Sequence, residues 1–185
     1  IAITKSNFPP RVEMTLSKND LRKYKQYSIV LGHHRLSIND TTFNASQPFE
    51  DPISNQVLGN VELRQRPDRK LLCNGEIYNY NKLVSENSFG DCDICSKCDV
   101  EVILPLYIKY GLEETIQMLD GEFAFCLTEN FKTFELDKVN VFVVRDYIGM
   151  RPLYYATNLD HSLSLFVSEI KALPQHILQN TSFMI

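Results

Sequence analysis

The apolar positions change period along the chain, and those changes divide it. Over residues 99–111, DVEVILPLYIKYG, the residues Val100, Ile103, Leu104 and Tyr107 recur at helical spacing, and the pattern stops at Gly111. A second short helix, LEETIQML, is predicted at 112–119. Pro105 falls inside the first pattern; an interior proline removes a backbone hydrogen bond and costs about 3 kcal/mol, so a kink is expected there. Residues 121–130, 138–146, 151–157 and 162–169 read as four strands in succession. Two of their segments, EFAFCL and VFVV, are apolar without alternation, whereas an antiparallel strand with one wet face alternates. These strands are expected to be covered on both faces. Middle helices and antiparallel strands then imply the layers helix, sheet, sheet, helix, with an ordinary two-layer α+β domain as the simpler alternative.

The first half is less regular. IAIT (1–4), SIVLG (28–32) and RLSI (35–38) are expected as strands. Residues 5–27 are polar and basic, and Pro9-Pro10 opposes regular structure there. Asp40, Asn44, Ser46, Pro48, Asp51, Pro52 and Asn55 punctuate 40–56 as loop. Residues 57–63 and 70–73 are expected to pair as a hairpin across RQRPD. Next comes LLCNGEIYNY at 71–80. An Asn-Gly pair commonly marks a tight turn. The residues after it do not alternate as a second strand would, because EIYNYNKLVSEN puts Ile77, Tyr80, Leu83 and Val84 on one helical face. Asn74-Gly75 is therefore expected at a strand-to-helix junction.

Composition narrows the class. The 185 residues suffice for one medium domain, read as 1–185, and 44% hydrophobic with 23% charged is ordinary globular usage. A net charge of −4 carries no nucleic-acid footprint. No apolar run approaches the roughly 20 residues of a membrane span, and no signal-peptide pattern is seen. The five cysteines, Cys73, Cys92, Cys95, Cys98 and Cys126, are an odd number in a chain too large to need a disulfide framework, so a cytoplasmic protein is expected. The spacing of CDICSKC (92–98) is like part of a zinc or iron–sulfur site, but no fourth cysteine stands nearby, and a thiol-rich polar loop without metal is expected.

Polar clusters stand where strands end: GHHRLSIND (32–40), CNGEIYN (73–79), CDVEVIL (98–104) and RDYIGMRPLYY (145–155). Each has a structural explanation alone. Arg35 suits a salt bridge, Asn74-Gly75 a turn, Asp99 a helix N-cap, and Arg145-Asp146 with Gly149 and Pro152 a structural turn. Together, LGHHRLSIND, QPF, CNGEIYNY, DVEVILPLYIKYG, MLDGEFAFCL, VVRDYIGMRPLYY and SEIKAL form a series over residues 28–173. The series resembles the glutamine-hydrolysing domain of asparagine synthetase, a class II, N-terminal nucleophile glutamine amidotransferase. The resemblance implies a four-layer αββα sandwich of mostly antiparallel sheets. It implies that Arg35 clamps the glutamine α-carboxylate, with backbone contacts at Ile38, as guanidinium geometry allows. It implies that Asp99 and Glu76 take the α-ammonium, and that the Asn74 side-chain amide and the Gly75 N–H form an oxyanion hole. No metal or cofactor is implied for this domain. ATP and Mg are expected for a synthetase domain, in cis or trans, that also binds aspartate; its Ser-Gly-Gly-x-Asp-Ser motif is not in this sequence.

The sequence departs from the family in two further places. The family nucleophile is an N-terminal cysteine whose own α-amine, titrating near about 7.7–8.0, serves as base. Here IAIT is similar to the family's opening strand without its Cys-Gly, and none of the five internal cysteines carries an α-amine. A Cys-Gly ahead of Ile1 is expected in the full protein. A protein without it would be a non-hydrolytic domain, of the β-lactam-synthetase kind or a glutamine-sensing or interaction module. Residues 5–27 also lack the family's helix and Arg-Gly-Pro-Asp stretch, which would help cover the glutamine pocket.

Overall fold

A computed structural model of the chain describes residues 11–16, 29–35, 40–51, 67–91, 93–132, 137–157, 163–173 and 182–184. Two antiparallel sheets are seen. The larger is built from β1 (Arg11–Leu16), β2 (Phe49–Glu50), β3 (Asp68–Ile77), β4 (Gly121–Lys132) and β5 (Asp137–Arg145), in the order β1-β5-β4-β3-β2. The smaller contains β6 (Tyr154–Thr157), β7 (Ser164–Val167) and β8 (Ser182–Met184), in the order β7-β6-β8. The helices are α1 (Tyr80–Asn87), α2 (Ile103–Tyr110) and α3 (Leu112–Met118), with a 3₁₀ turn over Asp99–Val102 leading into α2. This is an α+β fold. No helix among the described residues is long and apolar enough to cross a membrane.

The core lies between the helices and one face of the larger sheet. Leu71, Cys73 and Ile77 of β3, Phe123, Phe125 and Leu127 of β4 and Val144 of β5 pack against Leu83, Val100, Val102, Ile103, Leu104, Leu106, Leu112 and Ile116. The opposite face of β4 and β5 is closed too: Ala124, Val141 and Val143 are buried. The unbroken apolar runs EFAFCL and VFVV thus cover both sides of the central strands, as their lack of alternation predicted. The predicted strands at 121–130, 138–146, 151–157 and 162–169 all form within a few residues of their expected limits.

Several expectations are corrected. Asn74-Gly75 is neither a turn nor a strand end, because β3 runs on through both residues to Ile77. Ile77 closes that strand instead of joining the helical face, and α1 begins at Tyr80. Pro105 stands in the first turn of α2, directly after the 3₁₀ turn, a position where proline is tolerated. Within 5–27, Arg11–Leu16 forms β1 and pairs with β5, Val12 opposite Val143 and Met14 opposite Val141. Residues 29–32 of the expected SIVLG strand take no regular structure. The 40–56 loop contains a 3₁₀ turn at Phe43–Ala45 and the short strand β2, and residues 70–73 pair with β2 and β4. The IAIT strand, residues 36–38 and the proposed hairpin partner 57–63 lie outside the described residues.

Candidate active site

The site is built on the last four residues of β3. Register places Asn74 opposite Ala124, Gly75 opposite Phe123, Glu76 opposite Glu122 and Ile77 opposite Gly121. Strand alternation sends the Asn74 and Glu76 side chains to the face away from the helices, and both are exposed. Glycine at position 75 is required by close approach: an added Cβ would stand 2.1 Å from the Glu122 carbonyl oxygen and 2.6 Å from Phe123 Cα.

The outer edge of β3 is capped by side chains on both sides of Gly75. Upstream, the Gln47 amide accepts from Cys73 N–H at 2.6 Å and donates to Cys73 C=O at 2.9 Å. Downstream, Asp99 Oδ2 accepts from Ile77 N–H at 2.6 Å. Arg69 C=O on the same edge accepts from Asp51 N–H. Backbone groups of alternate residues point to the same edge, so the Gly75 N–H points outward between the Gln47 and Asp99 caps.

Asp99 is not an N-cap. It is the first residue of its 3₁₀ turn, with Cys98 at the cap position, and its carboxylate reaches across to β3. This brings Asp99 and Glu76 into one cleft of about 460 Å³, lined also by Ile77, Tyr78, Tyr80, Asn81 and Lys97. Arg35 is half-buried; its Nη1 donates to Thr42 C=O at 2.8 Å, and its charge is felt at Asp40 and at Cys98, the neighbour of Asp99. Arg35 does not line the cleft. Ile38 lies outside the described residues.

The thiol-rich loop before Asp99 is organised by carboxylates. Buried Glu101 accepts from the N–H groups of Cys95 and Ser96, each at 2.9 Å, and from the Ser96 hydroxyl. Asp40 Oδ2 accepts from Lys97 N–H at 2.9 Å and Oδ1 from Thr42 N–H at 2.7 Å. The Lys97 N–H, followed by Thr42, holds the Asp40 carboxyl down at about 2. Among the described residues no three His, Cys, Asp or Glu side chains are placed to share a metal, and Cys92 lies outside them. Burial pushes the Cys73 and Cys98 thiols up and raises Cys126 to about 12, which disfavours the thiolate at all three.

A second carboxylate centre holds the RDYIGMR stretch. Buried Asp146 accepts backbone N–H bonds from Phe123 (3.2 Å), Ile148 (3.0 Å), Gly149 (2.6 Å), Met150 (3.0 Å) and Arg151 (3.3 Å). Burial alone raises its pKa, but the N–H groups of Met150, Arg151, Gly149 and Phe123 outweigh burial and bring it below the ordinary carboxylate value. The structural-turn explanation of Arg145-Asp146 is thereby supported. Gly149 has φ 74°, and a Cβ there would crowd the Arg145 guanidinium at 3.0 Å. Arg151 in turn donates from Nη2 to Glu122 Oε1 at 2.6 Å.

Sequence reasoning did not single out Gln47, Glu101, Glu122 or Arg151, although Gln47 and Arg151 lie within QPF and RDYIGMRPLYY. Gln47 bonds a residue 26 positions away, and Glu122 and Arg151 bond each other across 29 positions, distances no local pattern reveals; Glu101 bonds residues only 5 and 6 positions back.

β3, next to the sheet edge, presents Asn74, Gly75 and Glu76 beside a carboxylate-lined cleft, and comparison with known proteins places the chain. The chain belongs to the glutamine amidotransferase domain family, which it matches over residues 19–183. It is 36% identical over 146 residues to a probable glutamine-hydrolysing asparagine synthetase of Acanthamoeba polyphaga mimivirus, covering 79% of this chain and 22% of that protein. It is 39% identical over 144 residues to the glutamine-hydrolysing asparagine synthetase of Homo sapiens, covering 77% of this chain and 21% of that one. A putative enzyme of the same name from Methanocaldococcus jannaschii is 33% identical over 151 residues, 81% of this chain and 27% of its own length. The chain thus spans about a quarter or less of these relatives.

Proposed function

We propose that this chain is the glutamine-hydrolysing domain of an asparagine synthetase and supplies ammonia for the ATP-dependent amidation of aspartate. The observation that carries the proposal is the cleft that unites Glu76 and Asp99 next to the outward N–H of Gly75. Asp99 and Glu76 take the α-ammonium of L-glutamine. A carboxylate has about four acceptor sites, and the Ile77 N–H takes one of those on Asp99. Arg35, with backbone contacts at Ile38, takes the α-carboxylate. The Asn74 amide and the Gly75 N–H donate to the oxygen that gains charge when the side-chain amide is attacked; one such donor contributes about 2.7–4 kcal/mol in comparable sites.

The attacking group in this reading is a cysteine ahead of Ile1, with its own α-amine as base. The four-layer αββα sandwich belongs to the same reading and is supported by the burial of both faces of β4 and β5. So do a cytoplasmic location, the absence of a metal or cofactor in this domain, and a synthetase portion that binds ATP, Mg and aspartate. The test is to determine the first residue of the mature full-length protein and to measure its ammonia release from glutamine. A leading cysteine with glutamine-dependent release is expected. No release, with a different first residue, would overturn hydrolysis in favour of a glutamine-binding module.

A further inference from the structure

Glu76 does not face its surroundings alone. Glu122 stands directly across from it in the β3–β4 register, with both side chains on the face away from the helices. Directly opposed side chains have Cβ atoms about 4.5–5.5 Å apart, and like charges there are destabilising. The Arg151 guanidinium resolves this opposition by donating to Glu122 at 2.6 Å.

How Arg151 arrives there is fixed by the backbone. Asp146 Oδ2 accepts from both Phe123 N–H and Arg151 N–H, so the turn is clamped to β4 at the residue following Glu122. The Arg151–Glu122 ion pair then closes a ring of contacts through Glu122, Phe123, Asp146 and Arg151. The Arg151 Nε is buried and has no hydrogen-bond partner among the described residues, while Nη2 is held by Glu122. Two charges of this ring reach the cleft: Glu122 and Arg151, together with Glu76, act on the hydroxyl of Tyr78, which lines it.

We propose that Arg151 is a positioning residue for the amino-group side of the pocket. It draws the Glu122 carboxylate toward the Asp146 turn and leaves Glu76 as the carboxylate directed at the ligand ammonium. The inference rests on the assignment of Glu76 to that ammonium. Without Arg151, Glu122 repels Glu76 across the strand pair and displaces it.

The experiment is calorimetric titration of L-glutamine into the full protein and its variants, each with a thermal melt. Glu76→Gln tests the underlying site: unchanged affinity there would overturn the pocket itself. With that control weakened as expected, Arg151→Met should weaken binding about tenfold, within the range of coupling between contacting residues. Glu122→Gln alone should bind as the parent does, because its neutral amide does not oppose Glu76. The double variant Arg151→Met/Glu122→Gln should return to within about twofold of the parent, since the unopposed charge is gone. Arg151→Lys keeps the charge and should lie within about threefold of the parent, giving a reading even if the methionine variant folds poorly. A parental affinity in Arg151→Met would overturn the proposal, as would a double variant as weak as Arg151→Met.

Discussion

Gln47 pairs with Cys73 through its side chain as a neighbouring strand would through its backbone, accepting from Cys73 N–H at 2.6 Å and donating to Cys73 C=O at 2.9 Å. β2 ends the ladder at Glu50 and Phe49, opposite Lys70 and Leu71, so this amide extends the edge by one more residue pair. It leaves Gly75 as the next residue to present its backbone outward.

Gln47→Leu should therefore do more than remove a surface amide. It leaves a buried strand N–H and C=O at Cys73 uncapped, at a cost of about 1–3 kcal/mol for each unsatisfied group. The expected outcome is a lower melting temperature together with faster hydrogen exchange at the Cys73 amide. Unchanged protection at Cys73 would mean that another group caps this edge.

Asp146 makes an acid-sensitive turn. Its folded pKa is depressed, with burial opposing and the backbone N–H groups of Met150, Arg151, Gly149 and Phe123 prevailing. A depressed folded pKa gives stability that is fully present above the unfolded value and is lost as pH falls through the folded one. Asp40, held at about 2, adds to the same trend. Stability should fall between about pH 4 and pH 2. Asp146→Asn should cost about 3 kcal/mol or more at neutral pH, because five N–H groups then share one amide oxygen. The same variant should flatten part of the acid limb. Urea titrations at several pH values measure both effects.

The range of each signal decides how much of the fold and site was legible in the sequence. The apolar runs of β4 and β5 and the helical spacing at 99–119 are local, and they predicted elements that formed and strands buried on both faces. The alternation in RVEMTL is also local and predicts β1, but the weight given to Pro9-Pro10 obscured it. Asn74-Gly75 was misplaced because the turn preference of Asn-Gly assumes an open chain, whereas here β4 lies so close that only glycine fits. The cluster around Asp99 was visible as residue types; that its carboxylate bonds β3 rather than its own helix needed the fold, because Ile77 is 22 residues away.

Asn74 separates turn chemistry from catalysis. It lies within β3 with an exposed side chain, so its loss removes little packing. In a form of the protein with Cys-Gly placed ahead of Ile1, Asn74→Ala should lower kcat for glutamine hydrolysis by about 10²–10³ with KM nearly unchanged. Steady-state ammonia release measures this. Normal turnover would remove Asn74 from the oxyanion hole.

Asp99 offers the sharpest division between holding the fold and holding the ligand. Its carboxylate accepts from Ile77 N–H at 2.6 Å and so fixes the end of β3, and it lines the cleft with Glu76. Alanine would abolish both roles at once and decide nothing. Asparagine keeps an oxygen where the Ile77 N–H needs one, so the strand end stays tied and the change in stability should be small, within about 1 kcal/mol. The negative charge is gone, and with it the proposed counter-ion for the glutamine ammonium. Truncating one partner of a hydrogen-bonded charge pair costs about 2–5 kcal/mol when the pair is buried; in this half-buried cleft the lower end, a loss of about thirtyfold in affinity, is expected. Thermal denaturation and glutamine titration on the same Asp99→Asn preparation check the two halves together. Parental melting with parental affinity would make Asp99 only the tie that ends β3, and the ammonium pocket would then have to be sought away from Glu76 and Asp99.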